Sequence, residues 1–114
     1  MTDMHQLLRE VFGFGTFRPG QAEVAEAVCA GRDVLAIMPT GGGKSLCYQL
    51  PALYRDGLTL VISPLIALMR DQVRALRAAG VAAGALTSGN TEAETDEVFA
   101  ALEAGRLKLL YMAP

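Results

Sequence analysis

Four short apolar runs, with helix-like stretches between them, constrain the fold of this 114-residue chain most strongly. Each run is short and rich in aliphatic residues, which is typical of a strand that is buried on both faces. The runs are Asp33–Met38, Leu58–Ser63, Ala82–Thr87 and Leu107–Met112. Because strands that alternate with helices build parallel sheets, the sequence predicts an α/β fold, a parallel sheet with flanking helices.

The stretches outside the runs have apolar residues at helical spacing. Thr91, with Glu94 three residues later, has the pattern of a capping box, and Pro51 predicts a kink or stop inside its helix. A helix that Pro19 opens is expected to end near Gly31. The other predicted helices are His5–Phe12, Lys44–Tyr54, Leu65–Ala79 and Thr91–Ala104.

The composition excludes several classes of protein. The length suits one compact domain, and 52% of the residues are hydrophobic, enough for a buried core. The net charge of −2 provides no diffuse positive field, so a polyanion would have to be bound by local groups. No apolar run approaches the ~18 residues that a membrane span needs, and no signal pattern opens the chain, so a cytoplasmic protein is expected.

The cysteine and histidine content argues against a metal centre. Cys29 and Cys47 form no CxxC pair, and the single histidine is the distant His5. The spacing therefore predicts two free thiols, with no zinc site and no disulfide framework.

A glycine-rich segment lies between the first apolar run and a predicted helix. It consists of Thr40, Gly41, Gly42, Gly43, Lys44 and Ser45. Consecutive glycines let backbone N–H groups surround an anion, and the helix that follows adds its positive end. Lys44 can reach the β- and γ-phosphates of a nucleotide, and the Ser45 hydroxyl can ligate Mg²⁺. An ordinary turn with a solvated Lys44 is the alternative, but the Gly-Lys-Ser ending in this context favours nucleotide binding. Met38 departs from the strict motif, which has a small first residue.

Four segments together resemble RecQ-type ATP-dependent DNA helicases of superfamily 2. The segments are Phe12–Gln21 (FGFGTFRPGQ), the loop with its flanks (MPTGGGKSLCYQLPAL), Val61–Gln72 (VISPLIALMRDQ) and Leu110–Pro114 (LYMAP). The resemblance implies the N-terminal part of the first motor domain, a partial RecA-like P-loop NTPase domain, with the remaining helicase domains beyond Pro114. It implies ATP and Mg²⁺ as cofactors, with zinc only in the later C-terminal part.

The same resemblance implies an activity and a set of partners. The activity is 3′→5′ DNA unwinding in recombination and repair, and the partner is DNA, both single-stranded and at duplex junctions. A bacterial-type, nucleoid-associated protein is implied, with no membrane partner. The oligomeric state stays open.

The resemblance also assigns residues to the nucleotide. Phe14, Arg18 and Gln21 occupy the positions that read adenine in the family, and Lys44 and Ser45 hold the catalytic positions, with Ser45 on Mg²⁺. An aromatic ring and a guanidinium can stack on a base, and an amide can pair with its edge. The alternative is a small core cluster of the three phenylalanines in this segment, with a solvated Arg18.

Two strand ends resemble nucleic-acid contacts of the family. Ser63, Pro64 and Leu65 follow the second apolar run, and Thr87 and Ser88 are a fainter case after the third. The alternative for both is an ordinary strand-to-helix turn. Three arginines at helical spacing, Arg70, Arg74 and Arg77, fit either a groove or a solvated helix face.

No apolar run ends in the acidic residue that a motor ATPase uses to hold Mg²⁺. We therefore expect these residues alone to hydrolyse ATP negligibly, and the last strand to expose apolar surface for want of neighbours. Two other readings stay open: an unrelated small P-loop nucleotide kinase, and a truncated nucleotide- or DNA-binding module without catalysis.

Overall fold

A computed structural model describes residues 3–38 and 43–114. The chain forms two compact units, Met1–Asp56 and Gly57–Pro114, where its length alone predicts one domain. Each unit has its own helices and its own buried apolar residues.

The first unit contains three helices that pack around a small core. They are α1 (Met4–Glu10), α2 (Gln21–Cys29) and α3 (Leu46–Tyr54). Helix α3 packs against both α1 and α2. Its Leu46 and Leu50 join Leu8 of α1 in the core, where Phe12 and Phe17 also pack. The predicted helices of this unit are confirmed within a few residues at their ends.

Helix α3 does not stop at Pro51. The helix continues to Tyr54, and Pro51 is buried inside it. Proline removes one backbone donor, but burial of the surrounding apolar residues outweighs that loss. Pro51 is therefore an internal residue of α3, and its carbonyl accepts from Arg55 N–H at the end of the helix.

The prediction of a strand at Asp33–Met38 is wrong in this structure. Residues 32–38 have no regular secondary structure, and Leu35 and Ile37 are 88% and 89% exposed. A strand needs a neighbouring strand to bond its N–H and C=O groups. All described strands lie in the second unit and pair with one another, so the apolar composition of residues 33–38 is not sufficient to form one.

The second unit is a parallel sheet with two helices. Its elements are β1 (Thr59–Ile62), α4 (Ile66–Ala78), β2 (Ala83–Leu86), α5 (Glu92–Glu103) and β3 (Leu109–Met112). The strand order is β1-β3-β2, and both pairings are parallel. Helices α4 and α5 both pack against β2. The predicted α/β class is confirmed, with three strands in the described sheet where four were expected.

The last strand is the best covered element of the sheet. Leu109, Leu110 and Tyr111 of β3 are all buried, because β3 lies between the other two strands. The expectation that this strand exposes apolar surface is therefore wrong. The exposed apolar side chains of the sheet are Leu60 and Ile62 on β1, an edge strand.

The predicted capping box at the start of α5 is confirmed. Thr91 Oγ1 accepts from Glu94 N–H at 3.1 Å, and Glu94 Oε1 accepts from Thr91 N–H at 2.8 Å. The two hydrogen bonds satisfy backbone donors that the first turn of a helix cannot pair internally.

The capping box should make stability depend on pH. The Thr91 N–H, followed by the Thr91 hydroxyl and by Arg70 and Arg77, lowers the pKa of Glu94. A carboxylate that is more acidic when folded stabilises the fold above its unfolded pKa, and that stabilisation is lost as pH falls through the folded pKa. We expect Glu94→Gln, which keeps the acceptor but does not titrate, to lack this loss. Urea unfolding between about pH 7 and pH 3, a range that brackets the ordinary Glu pKa, checks the prediction, and parallel profiles for the two proteins would contradict it.

Candidate functional site

The end of the predicted phosphate loop leads directly into α3. Thr40, Gly41 and Gly42 lie outside the described residues. Gly43 has a φ of +77°, and Ser45 is the N-cap of α3 without a side-chain capping bond. Within residues 3–38 and 43–114, the N–H groups of Lys44, Ser45 and Leu46 donate to no backbone carbonyl. The start of α3 therefore offers amide donors and the positive end of a helix dipole.

Lys44 and Ser45 have side chains that are available to a ligand. Lys44 is exposed, and it forms no ion pair with any described residue. Ser45 is partly exposed, and its hydroxyl has no hydrogen bond to the described part of the chain. An ammonium group and backbone amides can donate to a phosphate, and a hydroxyl oxygen beside them can ligate its Mg²⁺.

Gln21 connects the segment before the loop to the loop itself. Its side chain is only 4% exposed. Its Oε1 accepts from Arg18 N–H at 2.7 Å, and its Nε2 donates to the Gly43 carbonyl at 3.0 Å. One N–H and one lone pair of the amide remain for other partners. The link from Gln21 to Gly43 is a feature that the sequence did not reveal, because the two residues are 22 positions apart.

Of the three phenylalanines in the segment before the glycine-rich loop, two lie in the core and one lies at the surface. Phe12 and Phe17 pack against the core of the first unit, whereas Phe14 is 51% exposed. Phe14 is held by its N–H, which donates to the Leu8 carbonyl at 3.1 Å. The alternative of a core cluster is therefore correct for Phe12 and Phe17, whereas about half of Phe14 is exposed to solvent.

In the second unit, Ser63 lies at the carboxyl end of β1. Its Oγ accepts from Leu65 N–H at 3.2 Å, which makes residues 63–65 a tight turn into α4. Pro64 and Leu65 are exposed, and α4 begins at Ile66 without a side-chain cap. The Ser63 hydroxyl proton and the uncapped amides of the first turn are donors that a phosphate can accept.

Thr87 and Ser88 have different positions in the turn after β2. Thr87 Oγ1 accepts from Gly89 N–H and donates to Asn90 Oδ1, both at 3.2 Å. Asn90 Nδ2 in turn donates to the Ala85 carbonyl at 2.8 Å. The Thr87 hydroxyl is thus bonded inside the turn, whereas Ser88 is exposed.

The three arginines of α4 face a cleft beside β2. The cleft has a volume of about 240 Å³ and is also lined by Asn90, Glu94 and Glu97. Arg70 Nη2 donates to the Gly89 carbonyl at 2.5 Å, and Arg77 Nε donates to the Ala83 carbonyl at 2.8 Å. Arg74 is strongly exposed and lies 3.8 Å from Asp71. The three arginines therefore differ: Arg70 and Arg77 bond backbone carbonyls, whereas Arg74 is solvated.

The cysteines are free, as predicted. Cys29 is half-buried, Cys47 is buried, and burial raises the pKa of both thiols. Among the described residues, no group of His, Cys, Asp and Glu side chains is arranged to hold a metal ion. In the same part of the chain, no helix has the length and apolar character needed to span a membrane.

Comparison with known proteins identifies the family. The model of the DEAD/DEAH box helicase family matches residues 18–114, which is most of the chain. The chain belongs to the DEAD/DEAH box helicase family. The match begins at Arg18, and residues 40–45, both strand-end segments and the three arginines of α4 all lie within the matched residues.

Individual relatives confirm the resemblance to RecQ-type members of this family. The chain is 55% identical over 108 residues to the ATP-dependent DNA helicase RecQ of Haemophilus influenzae, covering 95% of the chain and 17% of that protein. It is 48% identical over 111 residues to the RecQ of Synechocystis, covering 97% and 23%. It is 47% identical over 110 residues to the ATP-dependent DNA helicase Q1 of Rattus norvegicus, covering 95% and 18%. The chain thus spans about a fifth of the length of these helicases.

Proposed function

We propose that this chain binds the phosphates of ATP, with Mg²⁺, at residues 40–45. The supporting observation is the arrangement at the start of α3, where an exposed Lys44 lies beside backbone amides and a Ser45 hydroxyl that have no hydrogen-bond partner among the described residues. Lys44 would supply countercharge to the β- and γ-phosphates, and the Ser45 hydroxyl would ligate Mg²⁺. Bound Mg²⁺ neutralises charge on the phosphates during phosphoryl transfer.

We propose further that Phe14, Arg18 and Gln21 recognise adenine. Phe14 is 51% exposed, and Gln21 retains one N–H and one lone pair beyond its two backbone bonds. An amide with one donor and one acceptor can pair with the edge of adenine. Because Gln21 also bonds the Gly43 carbonyl, the segment that reads the base and the segment that holds phosphate are directly connected.

A substitution at Phe14 tests nucleotide binding at this site. We expect Phe14→Ala to weaken ATP binding about tenfold, since base stacking on an aromatic ring contributes about 1–3 kcal/mol. Phe14→Tyr keeps the ring and should bind like the wild type. Titration calorimetry with ATP and GTP measures both effects, and ATP is expected to bind more tightly than GTP.

The same titration gives the outcome that would contradict this proposal. Equal affinity for ATP and GTP, with no loss in Phe14→Ala, would mean that this segment does not recognise adenine. Phe14→Ala should leave the unfolding free energy nearly unchanged, because half of the side chain is already exposed.

For the whole protein, we propose ATP-dependent 3′→5′ DNA unwinding in recombination and repair, with this chain as the N-terminal part of the first RecA-like motor domain. The relatives of the chain are named as DNA helicases, which supports this proposal. The DNA-contacting groups would be residues 63–65 and Ser88, with Thr87 holding the turn that presents Ser88. These groups are hydroxyls and backbone amides, which bind phosphates without a net positive charge.

A further inference from the structure

We infer that Arg70 is a positioning residue that fixes the turn at Thr87–Asn90 against α4. The inference rests on the proposed DNA-binding function of residues 63–65 and Ser88. Arg70 lies in the second turn of α4, and its Nη2 donates to the Gly89 carbonyl at 2.5 Å. This bond joins the helix that follows one proposed DNA segment to the turn that contains the other.

The contact between Arg70 and Gly89 is close. A Cβ atom added at Gly89 would lie 2.8 Å from Arg70 Nη2, so a side chain there would require the guanidinium to shift. A guanidinium has a long reach and several donors, and an exposed carbonyl in a turn accepts one of them. The absence of a side chain at position 89 lets the arginine approach the backbone.

The turn has its own hydrogen bonds, but they are all local. Thr87 Oγ1 bonds Gly89 N–H and Asn90 Oδ1, and Thr87 O accepts from Asn90 N–H at 3.2 Å. These bonds shape the turn, and Asn90 Nδ2 attaches it to β2 through Ala85. The Arg70 bond connects the turn directly to α4. Arg70 therefore sets the separation between the start of α4 and Ser88.

Arg74 provides a matched control on the same helix. It carries the same charge and lines the same cleft, but it forms an ion pair with Asp71, which lies 3.8 Å away and is also exposed. Removing either arginine changes the net charge equally. A difference between the two variants therefore reports the bond to Gly89 and not the loss of positive charge.

The experiment measures binding of a fluorescent single strand of about 15 thymidines, a length within the usual range for one binding groove. The proteins compared are the wild type, Arg70→Ala, Arg74→Ala, Ser88→Ala and the double variant Arg70→Ala/Ser88→Ala. We expect Arg70→Ala to weaken binding roughly tenfold and Arg74→Ala less than about threefold. In the Ser88→Ala background, Arg70→Ala should have little further effect, because both changes act through one contact. Arg70→Lys, which keeps a charged donor, should recover part of the affinity.

Hydrogen exchange at Gly89 and Asn90 gives a second readout that needs no DNA. We expect faster exchange in Arg70→Ala than in Arg74→Ala, at equal free energy of unfolding. Equal DNA affinity of the two single variants, or fully multiplicative losses in the double variant, would overturn the inference. If the wild type does not bind the strand but the Gly89 and Asn90 amides still exchange faster only in Arg70→Ala, the proposed DNA-binding function is wrong. The positioning role of Arg70 would then remain.

Discussion

Lys44→Ala is expected to weaken ATP binding about a hundredfold. The Lys44 side chain is exposed beside the amides at the start of α3, which donate to no backbone carbonyl of the described residues, and no described carboxylate competes for its ammonium group. A hydrogen bond to a charged partner contributes about 1.5–3 kcal/mol, and a lysine between two phosphates should reach the upper end, which corresponds to about a hundredfold in affinity. Fluorescence titration with a labelled ATP analogue measures the loss.

The control for this substitution is Arg32→Ala. Arg32 is an exposed cation in the same unit, so its removal changes the net charge equally. Both variants should unfold within about 0.5 kcal/mol of the wild type, because both residues are on the surface. A loss of ATP affinity that is the same in the two variants would mean that Lys44 acts only through general charge, and the proposed phosphate site would be wrong.

Gly43→Ala is expected to have the largest effect on stability. Gly43 has a φ of +77°, and an added Cβ would overlap the Nε2 atom of Gln21. The left-handed conformation costs a residue with a Cβ about 1–2 kcal/mol. The overlap would also break the hydrogen bond from Gln21 to the Gly43 carbonyl and leave a buried amide without that partner, which costs about 1–3 kcal/mol more.

Gly31→Ala is the matched control, because it separates strain from overlap. Gly31 has a φ of +81°, and a Cβ built there meets no atom within 4 Å. Gly31→Ala should therefore lose only the conformational part. Chemical denaturation of both variants gives the difference. In a Gln21→Ala background, the extra loss of Gly43→Ala should disappear, since the atom that it overlaps is gone. An extra loss that persists in this background would place its cause outside the Gln21 contact.

Local chemistry made most of the helices readable from the sequence. The capping box at Thr91 and Glu94 and the glycines after α2, α4 and α5 are signals that act within one turn of a helix. The proposed nucleotide-binding segment could be identified for the same reason, because its residues are consecutive. The strand at residues 33–38 was not formed, because an apolar run predicts burial but cannot supply the partner strand that burial in a sheet requires.

The candidate site was predictable in its residue types but not in their partners. Phe14, Arg18 and Gln21 were singled out by resemblance, yet the two backbone bonds of Gln21 depend on a loop 22 residues later. Thr87 and Ser88 have distinct roles because the Thr87 hydroxyl is bonded inside the turn. Their adjacent positions in the sequence do not show which hydroxyl is bonded. In the sequence Arg70 is one of three similar arginines at helical spacing. Its hydrogen bond to the Gly89 carbonyl, seen only in the structure, distinguishes it from the other two.

The sequence by itself determined the α/β class, most of the helices and the capping box of α5, and it supplied the glycine-rich segment that we propose binds phosphate, because these depend on residues within a few positions of one another. Only the tertiary structure decided that Leu109–Met112 is the central strand, that Gln21 holds Gly43, and that Arg70 holds the turn at Gly89. The physical reason is that strand order and long-range hydrogen bonds depend on which backbone groups meet in space. Neither the periodicity nor the composition of the sequence specifies these long-range contacts.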